Sequence, residues 1–127
     1  MKRMLVILLS IIICVNLIAC SDTTKFKDKE LYDDSIKIYN MVSKHYEDKT
    51  VFTIQEREIY QDYEDEYLSK YKEQDLEYKV VNSLMLSFLC VDMYTFCLEN
   101  SNLGESEKWK DEYKKQLEIL KEVFDKE

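Results

Sequence analysis

The chain has 127 residues, with 18 basic and 26 acidic side chains and a formal net charge of −8 at neutral pH. It holds one glycine and no proline, so it lacks the turn residues that all-β and α/β folds need. This composition predicts an all-α fold, and the acidic balance argues against nucleic acid as a partner, because phosphates attract Lys and Arg.

The first predicted element is a short apolar helix after a positively charged start. Lys2 and Arg3 precede a mostly apolar run over residues 4–18, and small Ala19 stands directly before Cys20. A basic start, a short apolar region and a small residue before the cleavage point are typical of an export signal. The run is slightly short for a membrane span, which needs about 20 apolar residues.

The end of this stretch, Leu17-Ile18-Ala19-Cys20, resembles the lipobox of bacterial lipoprotein signal peptides. The resemblance implies cleavage between Ala19 and Cys20 and a diacylglyceryl lipid on the Cys20 sulfur. The protein would then be anchored to the membrane on its extracytoplasmic side, since two acyl chains hold a protein stably where one does not. An uncleaved N-terminal anchor and a plain secretory signal are the alternatives.

Cleavage would leave one acidic domain. Removal of residues 1–19 takes away Lys2 and Arg3 but no acidic residue, so the net charge changes from −8 to −10. We interpret residues 20–29 as the lipidated cysteine with a polar tether. Residues 30–127 are then a single helical domain that is long enough to bury a core.

Apolar residues at helical spacing predict four helices, at about 28–48, 54–73, 76–99 and 107–125. Thr53-Ile54-Gln55-Glu56 has the pattern of a capping box at the start of the second helix. The connections are short, so consecutive helices should pack antiparallel in a small bundle. The third helix is apolar nearly all round, which is typical of a helix buried in the core.

Two connections are less well defined. Asp75 is a candidate cap for the third helix, yet no Gly or Pro forbids one continuous helix from Ile54 onward, and we prefer the break. In the last connection we expect Gly104 in a loop and Ser106 at the cap of the fourth helix.

Asp92 lies among apolar residues of the third helix. A carboxylate near the middle of a membrane span costs roughly 2.5–3.5 kcal/mol, which disfavours membrane insertion of this helix. A buried carboxylate must be paired or protonated. We expect a Lys or a Tyr hydroxyl beside Asp92, and the alternative is a ligand contact in a crevice.

Few residues suggest catalysis or metal binding. His45 is the only histidine, and we expect it at the surface near a helix end, so neither a metal site nor a cofactor other than the Cys20 lipid is predicted. Cys90 and Cys97, seven residues apart on one helix, are too far apart for a mutual disulfide. No residue is a candidate catalytic residue, and a hydrolase that uses carboxylates is a weak alternative.

The best candidates for partner binding are tyrosines, of which the chain has ten. Tyr60, Tyr63, Tyr67 and Tyr71 recur at helical spacing, and tyrosine is common at protein interfaces. The alternative is that these rings line the seams between helices.

These features predict a membrane-tethered, non-enzymatic lipoprotein that binds another protein, as an exclusion-like, immunity-like or accessory module. The alternative is a ligand-binding or accessory subunit of an envelope complex, with a pocket among the helices. An exposed tyrosine stripe favours the first role, and a pocket near Asp92 favours the second.

Overall fold

Apolar residues at helical spacing form four α-helices within residues 26–125, the part of the chain that this computed structural model describes. They are α1 (Lys29–Asp48), α2 (Ile54–Tyr67), α3 (Leu76–Glu99) and α4 (Leu103–Phe124). These residues contain no strand, so the predicted all-α fold is confirmed. The predicted signal peptide, its lipobox and Cys20 lie outside the described residues.

Helix α3 is the centre of the core. It packs most extensively against α4, less against α1 and least against α2. Its side chains Val80, Leu84 and Val91 are fully shielded from solvent, together with Leu31 of α1. Among residues 26–125, α3 is the one helix long and apolar enough to cross a membrane. However, 61% of its apolar stretch is buried inside the protein.

Cys90 and Cys97, the two cysteines within residues 26–125, lie on α3, where they are buried and form no disulfide with a described residue. Burial, with a smaller contribution from the Glu112 carboxylate, raises the pKa of the Cys90 thiol to about 11. The nucleophile is the thiolate, so this buried thiol is poorly suited to nucleophilic chemistry.

Local capping interactions define where α1 and α2 begin. The Asp28 carboxylate accepts a hydrogen bond from the Leu31 amide at 3.1 Å. At the start of α2, the Thr53 hydroxyl accepts from the Glu56 amide at 3.2 Å, and the Glu56 carboxylate accepts from the Thr53 amide at 2.8 Å. The predicted capping box is therefore present.

Helix α2 ends at Tyr67, six residues before its predicted end, and a turn region precedes α3. The break between the second and third helices is therefore confirmed. The Asp75 carboxylate accepts a hydrogen bond from the Lys72 amide at 3.0 Å, which stabilises the turn rather than the start of α3.

Helix α4 begins at Leu103, earlier than predicted, so the expected positions of Gly104 and Ser106 are wrong. The Asn102 side chain accepts from the Glu105 amide and caps the helix in place of Ser106. The Ser106 hydroxyl donates instead to the Leu103 carbonyl inside the first turn. Asn is as good a cap as Ser, and here it comes first in the chain.

The described chain starts at the end of the bundle where α1 and α3 begin and α4 ends. The Lys27 amide donates to the Glu77 carboxylate at 3.0 Å, at the start of α3. The Phe26 ring lies 6.3 Å from the ring of Phe124, the last residue of α4. The connections between α1 and α2 and between α3 and α4 are consequently at the opposite end.

Candidate functional site

An open groove of about 420 Å³ lies between helices α1 and α2. Its floor contains the buried side chains of Ile38, Tyr63 and Tyr67. Ile59 of α2 also lines it and is 52% exposed, so the groove offers accessible apolar surface.

Two of the four candidate tyrosines are thus in the core. The Tyr63 hydroxyl lies 2.8 Å from the Ser35 hydroxyl, and the Tyr67 hydroxyl donates to the Asp34 carboxylate at 2.8 Å. Burial raises the pKa of both phenols. Both side chains therefore hold α2 against α1 in their neutral, hydrogen-bonded form.

The other two tyrosines are only partly buried. The Tyr60 ring stacks on the Phe88 ring of α3 with 3.8 Å between centroids. The Tyr71 hydroxyl, beyond the end of α2, donates to the Asp28 carboxylate at 2.6 Å. All four tyrosines therefore line helix seams. Their role in partner binding stays a prediction, and of the four only Tyr60 and Tyr71 are accessible enough to contact a partner.

Carboxylates dominate the edge of the groove. The acidic residues that line it are Glu30, Asp34, Asp62 and Glu66, against a single lysine, Lys37. The Lys37 ammonium lies 2.8 Å from the Asp34 carboxylate, and this hydrogen bond, with that of Tyr67, holds the pKa of Asp34 below its usual value. The groove is therefore negatively charged at neutral pH.

His45 is buried, so its expected surface position is wrong. Its Nε2 atom lies 2.9 Å from the Glu56 carboxylate, and its Nδ1 atom lies 2.9 Å from the Thr50 carbonyl oxygen. The ring also packs against Phe52 at 4.6 Å between centroids. The loop after α1 folds back over the end of that helix and encloses the His45 ring. The spacing of residues in the sequence does not predict this path of the loop.

Glu56 takes part in two structures at once, the capping box and the contact with His45. Burial alone would raise the pKa of Glu56, but hydrogen bonds from His45 and from the Thr53 amide outweigh it and lower the pKa to about 2. Within residues 26–125, no group of three or more His, Cys, Asp or Glu side chains is placed to hold a metal ion.

Asp92 is paired, as expected. The predicted partner, a lysine or a tyrosine hydroxyl, is wrong. Arg57 in the first turn of α2 donates two hydrogen bonds to its carboxylate, at 2.9 and 2.6 Å. Such a two-point contact fixes geometry well. Asp92 therefore joins α2 to α3 and is occupied by Arg57.

Helix α3 has an exposed apolar face. Leu86, Leu89 and Phe96 are 39%, 47% and 56% exposed, so the prediction that this helix is buried nearly all round is wrong on one side. Three neighbouring helices cover only part of its circumference. The sequence shows a second apolar stripe at residues 86, 89, 93 and 96, separate from the core stripe, but not which of the two stays exposed.

Comparison with known proteins gave no match to any family model, curated protein or solved structure. The groove between α1 and α2 and the exposed face of α3 are therefore interpreted from their own geometry and chemistry.

Proposed function

We propose that this chain is a membrane-tethered, non-enzymatic lipoprotein whose helical domain binds another protein at the outer face of the cytoplasmic membrane. The resemblance of residues 17–20 to a lipobox supports the tether. The single observation that supports the binding role is the exposed apolar face of α3, formed by Leu86, Leu89 and Phe96.

This face has the properties of an interaction site. Its three side chains share one side of a helix, on a chain with a strong excess of acidic residues. Contiguous exposed apolar surface with polar surroundings is a common mark of protein–protein contact. A partner that covers this face would remove the three side chains from water, and the role would be exclusion-like, immunity-like or accessory.

A non-enzymatic role is consistent with how the carboxylates are used. A hydrolase would need two carboxylates placed for acid and base work on a substrate. Asp28, Asp34, Glu56 and Asp92 each already accept hydrogen bonds from other parts of the fold. These four carboxylates therefore have structural roles that need no catalytic one.

A photoreactive phenylalanine analogue at Leu89 should crosslink to one discrete partner in intact cells. The same analogue at Lys114, an exposed polar position on α4, is the matched control and should give no such adduct. The adducts are resolved by size and identified by mass spectrometry. Absence of an adduct from Leu86, Leu89 and Phe96 alike, or an identical adduct from Lys114, would remove the α3 interface.

The tether has a separate test. The substitution Cys20→Ala removes the thiol that would carry the lipid, so the protein should either leave the membrane fraction or accumulate with its signal uncleaved. Cell fractionation and electrophoretic mobility, compared with the unsubstituted chain, measure both outcomes. A variant that fractionates and migrates unchanged would contradict the lipoprotein assignment.

The second candidate function is a ligand-binding or accessory subunit of an envelope complex. One observation favours it, the open groove of about 420 Å³ between α1 and α2. A pocket near Asp92 would have favoured this role, but Asp92 does not line the groove and its carboxylate is bonded to Arg57.

A further inference from the structure

The groove between α1 and α2 combines a fixed floor with an accessible apolar wall. The hydroxyls of Tyr63 and Tyr67 are bonded to Ser35 and Asp34 of α1, so the two rings are held in place before any partner arrives. A preorganised floor loses little conformational entropy on binding. Ile59 adds an apolar surface that is half-exposed and open to a partner.

The uncompensated charges around this groove are negative. Glu30 and Asp62 form no salt bridge with another residue of 26–125. The Glu66 carboxylate lies 4.0 Å from the Lys70 ammonium, which is closer to Asp28, at 3.1 Å. Lys37 is engaged with Asp34. The groove therefore keeps a net negative charge that its one lysine, Lys37, does not neutralise.

We propose that this groove docks a basic segment of a partner protein, with an apolar side chain of the segment against Ile59 and Lys or Arg side chains along the carboxylates. Charge complementarity selects the occupant, because an acidic segment would place like charges together at a cost in affinity. The contact with Ile59 adds affinity beyond the electrostatic attraction between a basic segment and an acidic protein. This site is distinct from the α3 face, and it shares with the proposed function only the assumption that the partner is a protein.

Binding is tested on the full chain in nonionic detergent, with a fluorescently labelled synthetic peptide of alternating Lys and Leu as the probe. The double variant Asp62→Asn, Glu66→Gln should weaken peptide binding about three- to tenfold, the size expected for two exposed charge pairs. The matched control is Asp111→Asn, Glu118→Gln on α4, which changes the net charge equally at exposed positions. This control should stay within about twofold of the unsubstituted chain, because its charges lie outside the groove.

The apolar contact is tested without any change of charge. Ile59→Ser should weaken binding of the same peptide, whereas Ile54→Ser, an even more exposed isoleucine of the same helix, should not. Thermal unfolding of each variant identifies any loss of fold. Because Ile59 is a surface residue, its variant keeps the test decisive even if the charge variants are unstable.

The proposal would be overturned if the basic peptide did not bind, if the groove and α4 double variants weakened binding equally, or if Ile59→Ser and Ile54→Ser did not differ. An equally strong interaction with a peptide of alternating Glu and Leu would also overturn it. None of these results bears on crosslinking at Leu89, so failure of the groove and failure of the α3 interface are distinguishable.

Discussion

Replacement of Tyr67 by alanine is expected to lower the free energy of unfolding by about 3–5 kcal/mol, as is usual when a large buried aromatic side chain is deleted. This residue is 2% exposed, and its hydroxyl donates to the Asp34 carboxylate across the seam between α1 and α2. A domain of this size has a total stability of about 5–15 kcal/mol, so the loss is a large part of it. Urea denaturation followed by circular dichroism measures the change.

The control for this variant is Tyr67→Phe, which keeps the ring and removes the hydroxyl. It should cost about 1.5–3 kcal/mol, the usual range for a hydrogen bond to a charged group. A Tyr67→Ala variant that unfolds at the same urea concentration as the unsubstituted chain would show that the ring is outside the core. A binding assay on Tyr67→Ala would confuse loss of fold with loss of an interface, whereas Ile59 and Leu89 avoid this difficulty.

Acidification is expected to destabilise the domain in a defined pH range. Hydrogen bonds from Tyr71, the Leu31 amide and Lys70 lower the pKa of Asp28 to about 2, and Glu56 is lowered to about 2 despite its burial. In the unfolded chain both carboxyls titrate at ordinary values, about 3.9 and 4.3. The folded state therefore binds fewer protons than the unfolded state at intermediate pH, and it loses stability as they are added.

The sign of this effect follows from the lowered pKa values. Stability from Asp28 and Glu56 is fully present above about pH 5 and is lost as the pH falls from there towards 2. Urea denaturation across this range should show a falling free energy of unfolding. The variant Asp28→Asn, Glu56→Gln should be less stable at neutral pH and show a shallower fall, with a remainder from Asp34, whose pKa is also lowered. A slope unchanged by both substitutions would contradict the assignment.

Local signals in the sequence were sufficient for most of the fold. The spacing of apolar residues located all four helices, and Thr53 with Glu56 located the start of α2. The end of α2 was placed too late because Leu68 and Tyr71 continue its apolar spacing. Tyr71 instead follows a turn that brings its hydroxyl to Asp28, a contact across 43 residues that no local pattern contains.

The candidate sites were harder to predict because their partners are distant in sequence. His45 was expected at the surface, and its burial depends on a loop that brings Glu56 to its ring. The partner of Asp92 is Arg57, 35 residues earlier. The two apolar stripes of α3 look alike in sequence, and which of them stays exposed depends on how many helices pack around α3.

The contact between the start of the described chain and the start of α3 relates the position of Phe96 to the membrane. Lys27 is bonded to Glu77 at the start of α3, while Phe96 is 19 residues further along that helix. At 1.5 Å per residue this separation is about 28 Å, close to the thickness of the hydrocarbon layer itself. In a chain anchored at Cys20, α3 would then act as a rigid spacer. Its length would place Phe96 at most about 28 Å further from the lipid headgroups than Glu77, and this full value is reached when α3 stands along the membrane normal.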